Sequence, residues 1–226
     1  MRELYFLFKG EDSLNNLFQI PLVVSYYTKK TPYEKEVETL INSCKKFNIE
    51  SHIEGIEDKG SWEENCAFKP YFMKEKMKEF QRPLLWVDAD AVFLQPLKFE
   101  DFMFSDLVFY YDLTIKDPRF CAMAGTVYVN GTEGGQSSLD LWCHYSDKII
   151  KAEGKIPPYV DQVSLYFTIL SSPSFNFTQL PIIYVKVFDR YIPGLDLAEV
   201  VIEHNQASRR FEREKKEKYL LISTHT

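Results

Sequence analysis

One stretch of the chain joins a buried strand to two closely spaced carboxylates. Residues 84–87 read Leu-Leu-Trp-Val, and Asp88, Ala89 and Asp90 follow before apolar residues resume. A short apolar run bounded by breakers is typical of a strand buried on both faces, where side chains two positions apart share a face. Asp88 and Asp90 are therefore predicted to project together, and a divalent cation would relieve the repulsion between them. A solvated pair of turn aspartates is the alternative.

The chain before this stretch has the pattern of a βαβ unit. Residues 21–28 predict a first strand, Thr31 and Pro32 predict the start of a helix that runs to about Phe47, and residues 49–56 predict a second strand. Ligands of doubly wound sheets bind beyond the carboxyl ends of the strands. Tyr26, Tyr27 and Thr28 lie at such an end, where they either contact a ligand such as a nucleobase or only pack.

Lys69 is predicted to begin the helix that leads into the aspartates. Ser61 and Glu64 form a capping-box pattern, which predicts a short turn over 62–68, and Pro70 then opens a fresh helix to Phe80. A lysine beside a helix amino terminus suits a bound phosphate. A surface lysine is the alternative.

The remaining pattern alternates strands and helices. Strands are predicted at 106–111, 121–130, 180–185 and 199–203, and helices at about 137–151 and 159–167. Gly125 permits a close backbone approach within its strand. Asp161 is placed to cap the second helix, next to Gln162, and His204 ends the last strand.

Composition limits the classes of function. The 226 residues with 45% hydrophobic content predict one domain, and the net charge of −6 argues against nucleic-acid binding. No apolar run reaches the length of a membrane span, and four widely separated cysteines predict reduced thiols in a cytoplasmic protein. We expect an amino-terminal extension at 1–20, the main domain at 21–210 and a charged tail at 211–226. The mixed charges of 208–218 predict a solvated helix, with peripheral contact to an acidic membrane surface or glycolipid as the alternative.

In their order and spacing, these motifs resemble those of the metal-dependent GT-A fold glycosyltransferases. More narrowly they are similar to the D-x-D nucleotide-diphospho-sugar transferases, distant relatives of the glycogenin-like group. The resemblance spans about residues 21–210 and rests on six segments: Val23–Thr28, Lys69-Pro70, Trp86–Asp90, Ala124–Thr126, Asp161-Gln162, and His204 with Arg209-Arg210. It implies an α/β fold of one domain, with a mixed, mostly parallel Rossmann-like sheet flanked by helices.

The resemblance also implies roles for single residues. Asp90 would ligate Mn²⁺ or Mg²⁺, His204 would be a further ligand, and Asp88 would contact the ribose or donor sugar and is the other candidate ligand. Asp161 and Gln162 would contact the donor sugar, and Lys69 with Arg209 or Arg210 would stabilise the leaving diphosphate. Tyr26, Tyr27, Thr28 and Gly125 would contribute to the nucleotide site. One departure is that the glycogenin-like group ends in a His-Gly-Lys-Pro-Trp pattern, whereas residues 204–209 read His-Asn-Gln-Ala-Ser-Arg.

The implied activity is transfer of a sugar from a nucleotide-diphosphate sugar, with a UDP-sugar favoured, to an unknown glycan, lipid or protein. Stereochemistry stays open, because Asp161 or Glu133 fits either a retaining or an inverting reaction. A phosphatase of the haloacid-dehalogenase type, with Asp88 as nucleophile, is one alternative. In phosphatases of this type the aspartates normally lie near the start of the domain, whereas in this chain a βαβ unit precedes them. A catalytically inactive sugar-nucleotide-binding protein is the other alternative.

Overall fold

The structure is a computed structural model that describes residues 20–98, 104–152, 156–171 and 175–211. Most of the predicted amino-terminal extension and of the predicted charged tail lies outside these ranges. The helix expected over 208–218 is described only at its start, where residues 207–211 are helical. None of the described helices has both the length and the apolar character needed to cross a membrane.

Nine strands and five helices are bounded within the described residues. The strands are β1 (Leu22–Thr28), β2 (Ser51–Ile56), β3 (Leu84–Val87), β4 (Ala91–Phe93), β5 (Leu107–Tyr111), β6 (Ala122–Val129), β7 (Phe177–Gln179), β8 (Lys186–Val187) and β9 (Ile202–His204). The helices are α1 (Tyr33–Lys46), α2 (Trp62–Ala67), α3 (Lys69–Phe80), α4 (Glu133–Ile150) and α5 (Val160–Leu170). Single 3-10 turns lie at Pro118–Phe120, Ile182–Tyr184 and Leu197–Glu199.

Six strands form the central sheet, in the order β2-β1-β3-β6-β5-β7. Strand β1 is parallel to β2 and β3, and β7 is parallel to β5, whereas β6 is antiparallel to both β3 and β5. Five strands therefore run in one direction and β6 runs in the other. This mostly parallel sheet with helices on both faces confirms the predicted α/β, Rossmann-like fold of one domain.

The core lies on both faces of the sheet, as the apolar run of β1 predicts. Leu22 and Val24 pack into the cluster that contains side chains of α3, α4 and α5. Val23, which points to the opposite face, packs into the cluster that contains Leu40 and Cys44 of α1. Alternate residues of a strand face opposite sides, so a strand covered on both sides has no polar alternation.

The aspartates divide the predicted central strand in two. Strand β3 ends at Val87, the Ala91 N–H donates to the Asp88 carbonyl oxygen at 3.0 Å, and β4 then joins a second sheet of order β4-β9-β8. The prediction that Asp88 and Asp90 share a face of one continuous strand is therefore wrong, because residues 88–90 form a turn. Ala91 lies opposite His204 in the antiparallel pairing of β4 with β9.

The structure also tests several predicted helix and strand boundaries. The capping box at Ser61 is confirmed, since the Ser61 hydroxyl accepts from the Glu64 N–H at 3.1 Å and α3 follows α2 as a separate helix. Helix α4 begins earlier than predicted, because Thr132 caps it by accepting from the Gly135 N–H. The strand predicted at 180–185 is wrong, since a 3-10 turn occupies its centre.

Candidate functional site

The carboxyl ends of β1 and β3 open onto a cavity of about 440 Å³. This volume lies in the range of ~300–1,000 Å³ that is usual for small-molecule sites. The starts of helices α1, α2, α3 and α5 contribute to the wall, as do Gly125 of β6 and the segment that follows β9. The cavity therefore lies where ligands bind in open α/β sheets.

Most of the predicted site residues meet at this cavity. Nine of them line it: Tyr26, Tyr27, Thr28, Lys69, Asp88, Asp90, Gly125, Asp161 and Gln162. His204 lies beside it in a group with Asp88 and Asp90. Arg209 and Arg210 are not among the lining residues. The Arg210 guanidinium instead pairs with the Glu36 carboxylate of α1 at 2.6 Å, so the structure does not bring the predicted arginine clamp to the cavity.

Asp88, Asp90 and His204 form the candidate metal centre. One ligand atom from each of the three side chains lies within 4.8 Å of the other two. The turn at residues 88–90 presents both aspartates at the end of β3, and the pairing of β4 with β9 brings His204 to them. Carboxylate oxygens with an imidazole nitrogen are a ligand set that divalent cations accept.

A buried hydroxyl determines which nitrogen of His204 carries the proton. The Thr126 hydroxyl lies 2.9 Å from the Tyr184 carbonyl oxygen and 2.9 Å from His204 Nε2. A carbonyl oxygen only accepts, so the single hydroxyl proton goes to Tyr184 and the hydroxyl oxygen accepts from Nε2–H. His204 Nδ1 is then left with its lone pair, which is the form that binds a metal.

Gly125 leaves room between two of these ligands. A Cβ atom on Gly125 would lie 3.2 Å from Asp88 Oδ2 and 3.2 Å from His204 Nδ1. The absence of a side chain therefore keeps open the space between a carboxylate oxygen and the unprotonated imidazole nitrogen. Together with the ligand set and the orientation of His204, this space fits a bound divalent cation.

Asp90 is half-buried, and the donors described for its carboxylate are backbone N–H groups. Its Oδ2 accepts from the Ala207 N–H at 2.7 Å. Burial first, and then the charge of Asp88, raise the pKa of Asp90 above its usual value, against the opposing influence of His204 and of that N–H. A cation at this position would favour the ionised carboxylate.

Lys69 donates hydrogen bonds to three groups of the protein. Its Nζ donates to Asp88 Oδ1 at 3.0 Å, to the Ala124 carbonyl oxygen at 2.8 Å and to Asp161 Oδ2 at 2.6 Å. Burial alone would lower the pKa of Lys69, but the charges of Asp161 and Asp88 outweigh it and raise the pKa. An ammonium group has three protons, and all three are used within the protein. The predicted contact from Lys69 to a diphosphate is therefore not available in this arrangement.

These hydrogen bonds also hold the carboxylates of Asp88 and Asp161 in place. The Trp86 indole N–H donates to Asp88 Oδ1 at 2.8 Å, so this oxygen has two donors while Oδ2 lies beside Gly125 and His204. Asp161 does not cap helix α5, because Tyr159 is the capping residue. Its Oδ1 accepts from the Gln162 N–H at 3.0 Å, and Lys69 takes Oδ2. Both oxygens of Asp161 thus have partners inside the protein.

The tyrosines of β1 differ in their surroundings. Tyr26 is 8% exposed, and its ring packs against those of Phe68, Phe72 and Trp86. Tyr27 is half-buried and Thr28 is buried at the end of the strand. Tyr26 therefore combines core packing, the plainer of its two predicted roles, with a place in the cavity wall.

Sequence reasoning missed much of the remaining wall, namely Thr31, Pro32, Tyr33, Asp58, Gly60, Ser61, Trp62, Asn65, Cys66, Trp86, Ala89, Tyr159, Gln206 and Ser208. Several of these residues adjoin features that the sequence did identify, such as the capping box beside Trp62 and the Asp161 pair beside Tyr159. Cys66 is not a candidate nucleophile, because burial, followed by the charge of Asp161, raises the pKa of its thiol well above the usual value.

The comparisons with known proteins identify a structural likeness. No protein-family model matches the chain, and neither does any curated protein sequence. The chain is similar to the crystal structure of a glycosyltransferase involved in the glycosylation of the major capsid of PBCV-1. The TM-score is 0.63 at 12% identity, over 88% of this chain and 100% of that one. At this identity the likeness shows a glycosyltransferase-like fold.

Proposed function

We propose that this protein is a metal-dependent glycosyltransferase that moves a sugar from a nucleotide-diphosphate sugar to an acceptor. The observation that carries the proposal is the group of Asp88, Asp90 and His204, whose ligand atoms lie within 4.8 Å of one another beside the cavity. The glycosyltransferase-like fold adds support, because the group stands at the carboxyl ends of the strands in that fold.

The three residues would hold Mn²⁺ or Mg²⁺ through Asp90, His204 Nδ1 and Asp88 Oδ2. The bound cation would supply positive charge to the diphosphate as the sugar–phosphate bond breaks. Thr126 holds the imidazole in the tautomer that this role needs. Lys69 and Trp86 hold Asp88 by its other oxygen, so that Oδ2 is kept toward Gly125 and His204.

Charge stabilisation of the leaving diphosphate depends on the cation in this proposal. Lys69 is the one cationic side chain among the described residues that line the cavity, and its protons go to Asp88, Ala124 and Asp161. Lys69 is thus a positioning residue that balances two carboxylates. The nucleoside would lie along Tyr26, Tyr27 and Thr28, and the preference for UDP stays a prediction.

We assign to Gln162, which lies near the start of α5, the contact with the donor sugar. Both oxygens of Asp161 have partners inside the protein, whereas Gln162 lines the cavity with its amide side chain. An amide both donates and accepts hydrogen bonds, which suits sugar hydroxyls. In the transfer, the acceptor oxygen bonds to the anomeric carbon, the hydroxyl proton passes to water, and the diphosphate oxygen leaves with the electron pair.

The phosphatase alternative lacks comparable support. Its nucleophile would be Asp88, but Lys69 and Trp86 both donate to one oxygen of that carboxylate. Within the described residues, the group of potential metal ligands holds only the two aspartates of this turn and one histidine. A second acidic pair, which such phosphatases use for Mg²⁺, is not part of it.

A thermal-shift experiment tests the proposal. UDP-, GDP- and CMP-sugars are added to the protein with and without Mn²⁺, in parallel with the Asp90→Asn variant. We expect one nucleotide class to raise Tm only when Mn²⁺ is present, since a ligand that binds the folded state stabilises it. We expect Asp90→Asn to abolish that shift.

The outcomes separate the alternatives. Turnover of a simple phosphate monoester without any nucleotide-dependent shift would support the phosphatase. A metal-dependent shift without hydrolysis of the donor by water would support an inactive sugar-nucleotide-binding protein. The cytoplasmic location stays a prediction.

A further inference from the structure

Two aromatic side chains at the mouth of the cavity have no role in the function proposed above. Trp62 is 37% exposed and Tyr159 is 40% exposed, and both line the cavity. The aromatic side chains deeper in the wall are buried, with Tyr26 at 8% and Trp86 at 2% exposure. Large exposed aromatic surfaces beside a cavity indicate ligand contact.

The two rings form a corner. Their centroids lie 5.8 Å apart and their planes meet at 86°. Phe120 stands behind Tyr159 in a second edge contact, at 6.2 Å and 80°. A pyranose ring has apolar C–H faces and a hydroxylated rim, so it can touch both aromatic rings at once and still reach polar groups. Gln162, three residues after Tyr159, provides an amide at the same wall.

The backbone conformation of Tyr159 supports a role for its ring in ligand contact. Tyr159 has φ 58° and ψ 43°, which is the left-handed region that bulky residues rarely adopt. It occupies the N-cap of α5 without a side-chain capping hydrogen bond. Asn or Gly would suit this position better, so the tyrosine is present for a reason other than local backbone preference.

We propose that Trp62 and Tyr159 form an acceptor subsite and that the acceptor is a pyranose-containing glycan. This inference rests on the proposed transferase function. The diphosphate would lie at Asp88 and Asp90, deep in the cavity, so an acceptor hydroxyl reaches the donor sugar from the mouth. The two most exposed aromatic side chains of the wall stand at that mouth, beside the residues assigned to the donor sugar.

The experiment measures two affinities in each variant. Saturation-transfer NMR follows methyl glycosides of glucose, galactose and mannose with protein saturated by UDP and Mn²⁺, and calorimetry measures UDP itself. We expect Trp62→Ala and Tyr159→Asn to weaken binding of the glycoside about tenfold, which corresponds to the loss of one aromatic contact. UDP affinity should change by less than about twofold. Asn tolerates the left-handed backbone, so Tyr159→Asn keeps the helix start.

Two control variants accompany them. Trp62→Phe keeps an aromatic ring but removes the indole N–H, and it should retain glycoside binding within about threefold if stacking is the basis. Tyr191→Ala removes a tyrosine that is 85% exposed and does not line the cavity, and it should alter neither affinity.

Each outcome bears on one proposal or the other. If wild-type protein binds UDP with Mn²⁺ but no glycoside, the acceptor subsite is refuted and the transferase proposal stands. If Trp62→Ala weakens UDP as much as the glycoside, the corner belongs to the donor and the inference is overturned. Equal weakening by Tyr191→Ala also overturns it. Glycoside binding that the variants abolish, in a protein that binds neither UDP nor any other nucleotide of the thermal-shift series, supports the glycan corner and refutes the transferase.

Discussion

Two aspartates of this protein, the buried Asp112 and the half-buried Asp90, differ in whether a side-chain cation balances their charge. Asp112 is 2% exposed, pairs with Arg190 at 2.5 Å, and accepts hydrogen bonds from the N–H and hydroxyl of Thr114. Burial alone would raise the pKa of Asp112, but the hydrogen bonds from Thr114 and Arg190 outweigh it and lower the pKa. The ionised carboxylate is thus the favoured form at this site.

Asp90 lacks such a partner. Its carboxylate faces another carboxylate, Asp88, and the described residues place no lysine or arginine in an ion pair with it. Its pKa is raised, in contrast to that of Asp112, chiefly through burial and then through the charge of Asp88. Asp88 itself has Lys69 as a partner, at 3.0 Å.

The two carboxylates differ in how their charge is balanced inside the protein. The Asp112–Arg190 pair joins the β5–β6 connection to the segment after β8, and its charge is balanced when the protein folds. No lysine or arginine of the described residues pairs with Asp90, which is half-buried beside the carboxylate of Asp88, so a bound cation would favour its ionised form. The presence of a matching side-chain cation thus separates Asp112 from Asp90.

The largest expected effect comes from Asp90→Asn. The variant keeps the shape of the side chain and the acceptor for the Ala207 N–H, but it removes the charge that a cation needs. We expect the rate of sugar transfer, or of donor hydrolysis by water, to fall by about 1,000-fold or more, since metal charge contributes several kcal/mol to such a step. Initial rates with saturating Mn²⁺ measure the effect.

Asp140→Asn serves as the matched control for that variant. Asp140 lies on α4 with its side chain 59% exposed, so the same change of charge there should leave the rate within about twofold. A comparable loss in both variants would contradict a special role for Asp90.

The second-largest effect is expected from removal of Lys69, the cation that pairs with Asp88 and Asp161. Lys69→Met removes a cation whose side chain is 4% exposed and leaves Asp161 and Asp88 without it. We expect the free energy of unfolding to fall by about 3–5 kcal/mol, because breaking one partner leaves a buried charge unpaired. Denaturant unfolding measures the change, and adding Asp161→Asn to the variant should restore part of the stability.

Lys74→Met is the control on the same helix. Lys74 pairs with Asp140 at 2.6 Å, but both side chains are more than half exposed. Exposed pairs contribute up to about 1 kcal/mol. If Lys69→Met cost no more than Lys74→Met, the Lys69 network would not balance buried charge as the contacts indicate.

A smaller effect is expected from Thr126→Val. Valine keeps the shape of threonine but removes the hydroxyl that accepts from His204 Nε2 and holds Nδ1 free for a cation. We expect Mn²⁺ affinity, measured by the electron paramagnetic resonance of free Mn²⁺, to fall by about 10–100-fold. Thr126→Ser keeps the hydroxyl and should restore most of the affinity. Unchanged affinity in the valine variant would exclude His204 Nδ1 as a ligand held by this contact.

The sequence predicted much of the fold because its signals are local. The apolar runs of β1 and β3, the capping box at Ser61 and the proline that opens α3 all act within a few residues, and each lies in the expected place. The apolar run that resumes after Asp90 predicts that residues 88–90 continue one strand. The turn there depends on β4 pairing with β9, more than a hundred residues later, which no local pattern contains.

For the site, as for the fold, the sequence predicted the residues better than their long-range contacts. The aspartates, Lys69, Asp161 and Gln162 were predicted as neighbours through their order in a recognised set of motifs, and they do meet at one cavity. The role of Lys69 was not predictable, because it depends on contacts 19, 55 and 92 residues away. The same holds for Thr126, whose partners Tyr184 and His204 lie 58 and 78 residues further along the chain.

The smallest expected effect tests the balanced aspartate of the comparison, Asp112, through its pH dependence. Because the pKa of Asp112 is lowered in the folded state, the pair with Arg190 contributes stability above the unfolded pKa of about 4 and loses it as pH falls through the folded pKa. Asp112→Asn should therefore reduce the free energy of unfolding by about 1 kcal/mol near pH 7, a value kept small because Arg190 is 41% exposed. The difference from wild type should shrink toward zero as the pH is lowered below about 4. Denaturant unfolding at a series of pH values measures it, and a difference that grew toward low pH would show that folding raises the pKa of Asp112 instead of lowering it.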